Sequence, residues 1–272
     1  MKRNVITIAA ACLAASFFAA TIPASTAAVK PEGHLEPERS EYGGDLFMPG
    51  YDALVRSVLK SAYANDVAVR MIAVPSFFPE FAVGLKGNSG SYQVFSMRPK
   101  VQLWGYEILR MRENGALRTV VGDANKNASD LRATLPPNPQ DVPVLSCYTG
   151  IKAELAGRIV ANWERMLRST RFPGASNIGT DGADYHFSMR VNSQFLAGHT
   201  WNPDPNSPSG MLVRIGLAMN DYCAKKSDAS TKHLEQLVTQ LEGRLSDKGG
   251  EPRVWAWLVK IQNWFSGWRQ GR

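Results

Sequence analysis

Beyond its leader, this 272-residue chain has two cysteines, Cys147 and Cys223, and their pairing constrains the fold more than any other feature. Residues 1–28 read as a secretory signal. Lys2 and Arg3 precede an apolar run from Val5 to Ala20, and Ser25-Thr26-Ala27-Ala28 supplies the small residues of a cleavage site. The run is about 16 residues, shorter than the roughly 20 of a membrane-spanning helix. The third cysteine, Cys12, lies inside it, and Ala9-Ala10-Ala11 lacks the large aliphatic residue of a lipidation site. The expectation is therefore export to the periplasm or beyond, where thiols pair. A Cys147–Cys223 bond closes a loop of 76 positions. The chain-entropy estimate of its contribution is about 4.5 kcal/mol, as an upper figure.

Charge narrows the partners. The whole chain carries +7, which becomes +5 without Lys2 and Arg3, since none of the 24 acidic residues lies in the leader. A mild excess with acidic residues interspersed fits an envelope surface or a protein partner better than nucleic acid.

Hydrophobic periodicity divides the rest. Residues 29–50 are rich in Pro, Glu and Gly and read as an irregular lead segment. Tyr51, Leu54, Val55, Val58, Leu59, Ala62 and Tyr63 share a helical face, and Val67–Val74 has strand composition. Phe81–Lys86 and Ser91–Met97 flank Gly87-Asn88-Ser89-Gly90, a hairpin signal. Val101–Arg112 reads as a strand with Leu117–Val121 as its partner, and the proline-rich stretch 124–143 as a surface connection where two lobes would meet. Ile151, Leu155, Ile159, Trp163 and Met166 mark a long helix. Tyr185–Val191 and Gln194–Trp201 form a second hairpin around Asn192-Ser193. Two more helices follow, the first capped by Ser207 or Ser209, the second with Leu234, Leu237, Val238, Leu241 and Leu245 on its stripe. Strands and helices come in groups, which predicts an α+β fold of antiparallel hairpins packed on amphipathic helices over residues 51–250.

The polar residues able to carry chemistry are Asp181, Asp184, His186 and His199 on the second hairpin. Residues two apart share a strand face, so Asp184 and His186 stand side by side, and His199 joins them if the register allows. A histidine beside a carboxylate serves as a general base or a metal ligand. No HExxH, Walker or GxSxG motif accompanies them, so these residues read equally as strand and turn residues, and neither a metal nor a cofactor is expected. Residues 251–272 add a basic amphipathic helix with Trp255, Trp257, Trp264, Phe265 and Trp268, which suits the protein's own core, a membrane surface or a protein partner.

Cys147, Trp163, Asp181-Gly182, Tyr185-His186-Phe187, Gly198, Trp201, Pro203 and Tyr222-Cys223 together form a pattern that resembles one in uncharacterised exported bacterial proteins. The resemblance implies export and no activity. The functional expectation is an exported non-enzymatic binding protein acting on a protein partner or the cell envelope. The alternative is an envelope hydrolase using Asp184, His186 and His199.

Overall fold

A computed structural model describes residues 33–38, 50–88, 90–115, 124–172, 182–192 and 194–247. The leader, Asp181 and the Trp-rich segment 251–272 lie outside the described residues, as does the expected strand 117–121. The fold is α+β. A seven-stranded antiparallel sheet, in the spatial order Glu36–Pro37, Gln194–Trp201, Ala183–Val191, Val67–Pro75, Phe81–Asn88, Ser91–Pro99 and Val144–Gly150, carries helices on both faces.

The central meander consists of β2 (Val67–Pro75), β3 (Phe81–Asn88), β4 (Ser91–Pro99) and β5 (Val144–Gly150). Gly87 takes φ +111°, the left-handed conformation that the tight β3–β4 reversal requires. Helix α4 (Ala153–Arg168) then carries the chain across the sheet to β6 (Ala183–Val191), which pairs with β2, and β7 (Gln194–Trp201) pairs with β6. Asn192 adopts φ +47° in that second turn, a conformation asparagine tolerates better than most residues. The outermost strand, β1 (Glu36–Pro37), is only two residues long and pairs with β7.

Strand alternation sorts the core into two layers. On one face Val69, Met71, Val83, Leu85, Val94 and Phe187 pack against α4, α5 (Pro208–Ala224) and α6 (Asp228–Asp247). Trp163 of α4 is fully buried there, with its ring edge-on to Phe187 at 5.5 Å between centroids. Ser207 caps α5 by accepting from the Gly210 amide at 3.0 Å, ahead of Pro208 in the first turn. On the other face Ile72, Ala82, Phe95 and Met97 meet Val55 and Val58 of α1 (Tyr51–Val58), together with Leu59, Ala62, Leu103 and Val142.

Several expectations are corrected. Residues 104–113 form helix α2 (Trp104–Glu113) instead of a strand. The cause is a distant residue: the fully buried Glu80 carboxylate accepts from the backbone amides of Leu103 at 2.8 Å and Trp104 at 3.0 Å, satisfying donors that a helix start leaves unpaired. Tyr51 donates its hydroxyl to the same carboxylate. The stretch expected as a loop holds helix α3 (Ala124–Thr134) and a 3-10 turn at Pro139–Asp141, and the residues after it form edge strand β5. The lead segment contains β1, whose neighbour Leu35 is fully buried and accepts from the Arg171 amide at 3.0 Å.

Cys147 on β5 and Cys223 near the end of α5 form the expected disulfide, with Cα atoms 5.9 Å apart. It fastens an edge strand to the helix lying across the sheet. Replacing both cysteines by serine is expected to lower the urea unfolding free energy by about 2–5 kcal/mol. Unchanged stability would show that packing alone holds β5 on α5.

Candidate functional site

The site grows from the register of three strands. His186 on β6 is the direct cross-strand partner of His199 on β7, and His199 is in turn the partner of Glu36 on β1. Direct partners share a sheet face. Asp184, two residues before His186 on β6, projects from that same face. The expected meeting of Asp184, His186 and His199 is therefore realised, and Glu36 and Glu38 of the lead segment join them.

The contacts follow a repeated pattern. Nε2 of His186 lies 3.6 Å from Oδ2 of Asp184, and Nδ1 of His199 lies 3.4 Å from Oδ1 of the same carboxylate. The other nitrogen of each ring turns to a carboxylate of its own: Nδ1 of His186 is 3.1 Å from Oε2 of Glu38, and Nε2 of His199 is 3.9 Å from Oε2 of Glu36. The rings stack 5.8 Å apart at 17°. Each of Asp184, His186 and His199 offers one ligand atom within 4.8 Å of the others. The Asp184 and His199 side chains keep 32% and 24% of their surface exposed, while His186 keeps 11%. Asp184 and His199 are thus partly open to solvent, whereas His186 is enclosed.

Electrostatics explain how the metal-free cluster survives burial. Desolvation opposes a charged imidazole, but the carboxylates of Asp184 and Glu38 outweigh it and raise the His186 pKa to about 9. His199 is also raised: burial pulls it down, and its hydrogen bond to Asp184 and the charges of Asp184 and Glu38 prevail. Desolvation would raise Asp184, yet the two imidazoles hold it below the usual carboxylate value. Without metal the site is a compact ion-pair network. Asp184, His186 and His199 could hold a metal ion only if the two rings gave up the protons that face Asp184.

The arrangement is chemically specific. Two imidazoles and one carboxylate, with Glu38 in hydrogen-bond reach of the far nitrogen of His186 and Glu36 at 3.9 Å from that of His199, are a donor set that suits a transition metal. Glu36 and Glu38 escaped the sequence reading because they lie in a segment without apolar period. The available signal was Pro37 between two glutamates spaced two apart, the composition of a short edge strand.

A second surface feature lies near this end of the sheet. Phe77 and Phe78, 71% and 69% exposed, sit in the β2–β3 connection between Pro75 and Pro79. The base of this connection is tied down: the Ser76 amide and hydroxyl both donate to the Gly182 carbonyl at 2.9 Å, two residues before Asp184. Among the described residues no helix is long and apolar enough to cross a membrane. Comparison with family models, curated proteins and solved structures finds no match for the chain.

The cluster makes stability pH-dependent in a defined direction. His186 is raised from 6.5 to about 9, so its stabilising contribution is complete below pH 6.5 and is lost as pH climbs through 9. Asp184 is lowered from 3.8, so its contribution is present above that value and disappears as pH falls through the lowered one. The melting temperature of metal-free protein should therefore be highest from about pH 4 to 6.5 and decline toward pH 9.5, and His186→Gln should lessen the alkaline decline, leaving the part that His199 contributes. Parallel wild-type and variant curves over that range would contradict the ion-pair network.

Proposed function

We propose that this is an exported, non-enzymatic binding protein whose ligand at the β6–β7 hairpin is a divalent transition-metal ion. Asp184, His186 Nε2 and His199 Nδ1 would coordinate it, and Glu38 and Glu36 would orient the two rings. The observation that carries this reading is the division of labour on each imidazole, with one nitrogen toward the shared Asp184 and the other toward a private carboxylate. An ion pair needs only one such contact per ring. Imidazole and carboxylate donors suit zinc, copper, nickel or cobalt better than calcium or magnesium.

The partner half of the reading is supported by the Phe77–Phe78 tip. Two large exposed aromatic side chains between prolines, on a tethered base, form an apolar projection of the kind that anchors protein or envelope contacts. Export is supported by the disulfide and by the composition of the leader. Envelope contact through Trp255, Trp257, Trp264, Phe265 and Trp268 rests on sequence alone.

A second reading, a metal-assisted envelope hydrolase, is favoured by the partial exposure of Asp184 and His199. Three protein ligands would leave a coordination position open, where zinc, if bound, would supply an activated water. Hydrolysis of envelope polymers by zinc-loaded protein, abolished in His186→Ala/His199→Ala, would select this reading over the non-enzymatic one.

Titration calorimetry of metal-free protein with zinc tests the binding itself. One ion per chain is expected, with binding lost in His186→Ala/His199→Ala and weakened about 10–100-fold in Glu38→Gln. Equal zinc affinity in wild type and the double variant would overturn the assignment.

A further inference from the structure

The two edges of the sheet are built differently. The β1 edge is two residues long, Glu36 and Pro37, and is followed by Glu38, features that discourage another strand from adding. The β5 edge has none of them. Its seven residues, Val144 to Gly150, contain no charge and no proline, and Leu145 and Tyr148 are 57% and 47% exposed.

The pairing of β5 with β4 shows which backbone groups that edge presents. The Ile151 amide donates to Tyr92 and the Lys100 amide to Pro143, and in an antiparallel ladder the bonded positions recur every second residue. Positions 143, 145, 147, 149 and 151 thus face β4, and Val144, Ser146, Tyr148 and Gly150 turn their N–H and C=O groups outward. The Gly150 carbonyl is taken by the Tyr222 hydroxyl at 2.9 Å and Lys226 Nζ at 2.8 Å. Val144, Ser146 and Tyr148 remain as three consecutive outward positions, and among the described residues no strand pairs with them.

We propose that β5 pairs antiparallel with β5 of a second copy of this chain, joining two seven-stranded sheets across a two-fold axis at Ser146. Three outward positions centred on Ser146 are self-complementary. Ser146 then faces Ser146 of the partner subunit, and Val144 faces Tyr148 of the partner subunit on one sheet face. Leu145 faces Cys147 of the partner subunit on the other. The smallest polar side chain of the three sits on the axis, where the two copies approach most closely. No like charges meet along the strand itself.

The strand's flanks favour a second copy over an unrelated peptide. The two-fold brings the strand end preceded by exposed Asp141 near the partner subunit's strand end followed by exposed Lys152, which in its own chain lies 4.0 Å from Glu235, and the symmetry repeats this opposite-charge approach. The Cys147–Cys223 bond holds the strand on α5, so little ordering is needed for it to serve as a template. The metal-site strands β6 and β7 lie toward the opposite edge, so the two proposals stand or fall separately.

Sedimentation equilibrium on the full mature chain tests this. Wild type is expected to be a dimer in reversible equilibrium with monomer. Ser146→Pro removes only an outward N–H and should weaken association by about tenfold or more, with the disulfide and far-ultraviolet circular dichroism retained. Leu145→Lys, which leaves the backbone unchanged, should have the same effect by placing cations near the axis. A monomeric wild type at every concentration reached would overturn the proposal, including the case in which the edge serves a different protein. So would a dimer that both folded variants preserve.

Discussion

The pairing of β6 with β7, residue 186 opposite residue 199, is the constraint on which the chemistry of this protein depends. Strand side chains alternate between faces, so a slip of one residue would send His199 into the layer occupied by Phe187 and Trp163 and leave His186 alone with its carboxylates. The register is held from both sides. Phe187 is fully buried against α4, and β6 is also paired along its length with β2, from Val69↔Met189 to Pro75↔Ala183. A histidine pair built on two interior strands is thus positioned by the core itself, which is the kind of support a metal or ion-pair site requires.

The lead segment completes what the hairpin begins. Glu36 stands on a strand of two residues and Glu38 directly after it, anchored by buried Leu35 and by backbone pairing with His199 and Gly198. Their carboxylates meet the outer nitrogens of both rings, so docking of this segment and the charge state of the site are coupled. Two protons on the imidazoles give this cluster of three carboxylates and two imidazoles the same net charge that one divalent cation on neutral rings would give.

Much of this architecture is legible in the sequence because its determinants are local. Both hairpins follow from turn chemistry at Gly87 and Asn192, and α4 from the spacing of Leu155, Ile159, Trp163 and Met166. The disulfide follows from cysteine number and compartment. What escaped depends on distant partners. Helix α2 begins where Glu80, 23 residues earlier, supplies acceptors for its first amides, and no window around Val101 contains that information. Strand β5 carries too few alternating residues to announce itself beside a proline-rich stretch. Three members of the candidate site, Asp184, His186 and His199, are readable on one hairpin, while Glu36 and Glu38 depend on a pairing across more than 160 positions. Their number, rather than their identity, separates an ordinary ion pair from a ligand set with oriented rings.

The most direct measurement is anomalous diffraction at the zinc edge from crystals of the mature protein grown with zinc. A single strong peak about 2.0–2.2 Å from His186 Nε2, His199 Nδ1 and an Asp184 carboxylate oxygen is the predicted result, with Glu38 and Glu36 on the far ring nitrogens. A map with zinc only on surface side chains, and the two histidines still bonded to carboxylates alone, would contradict it.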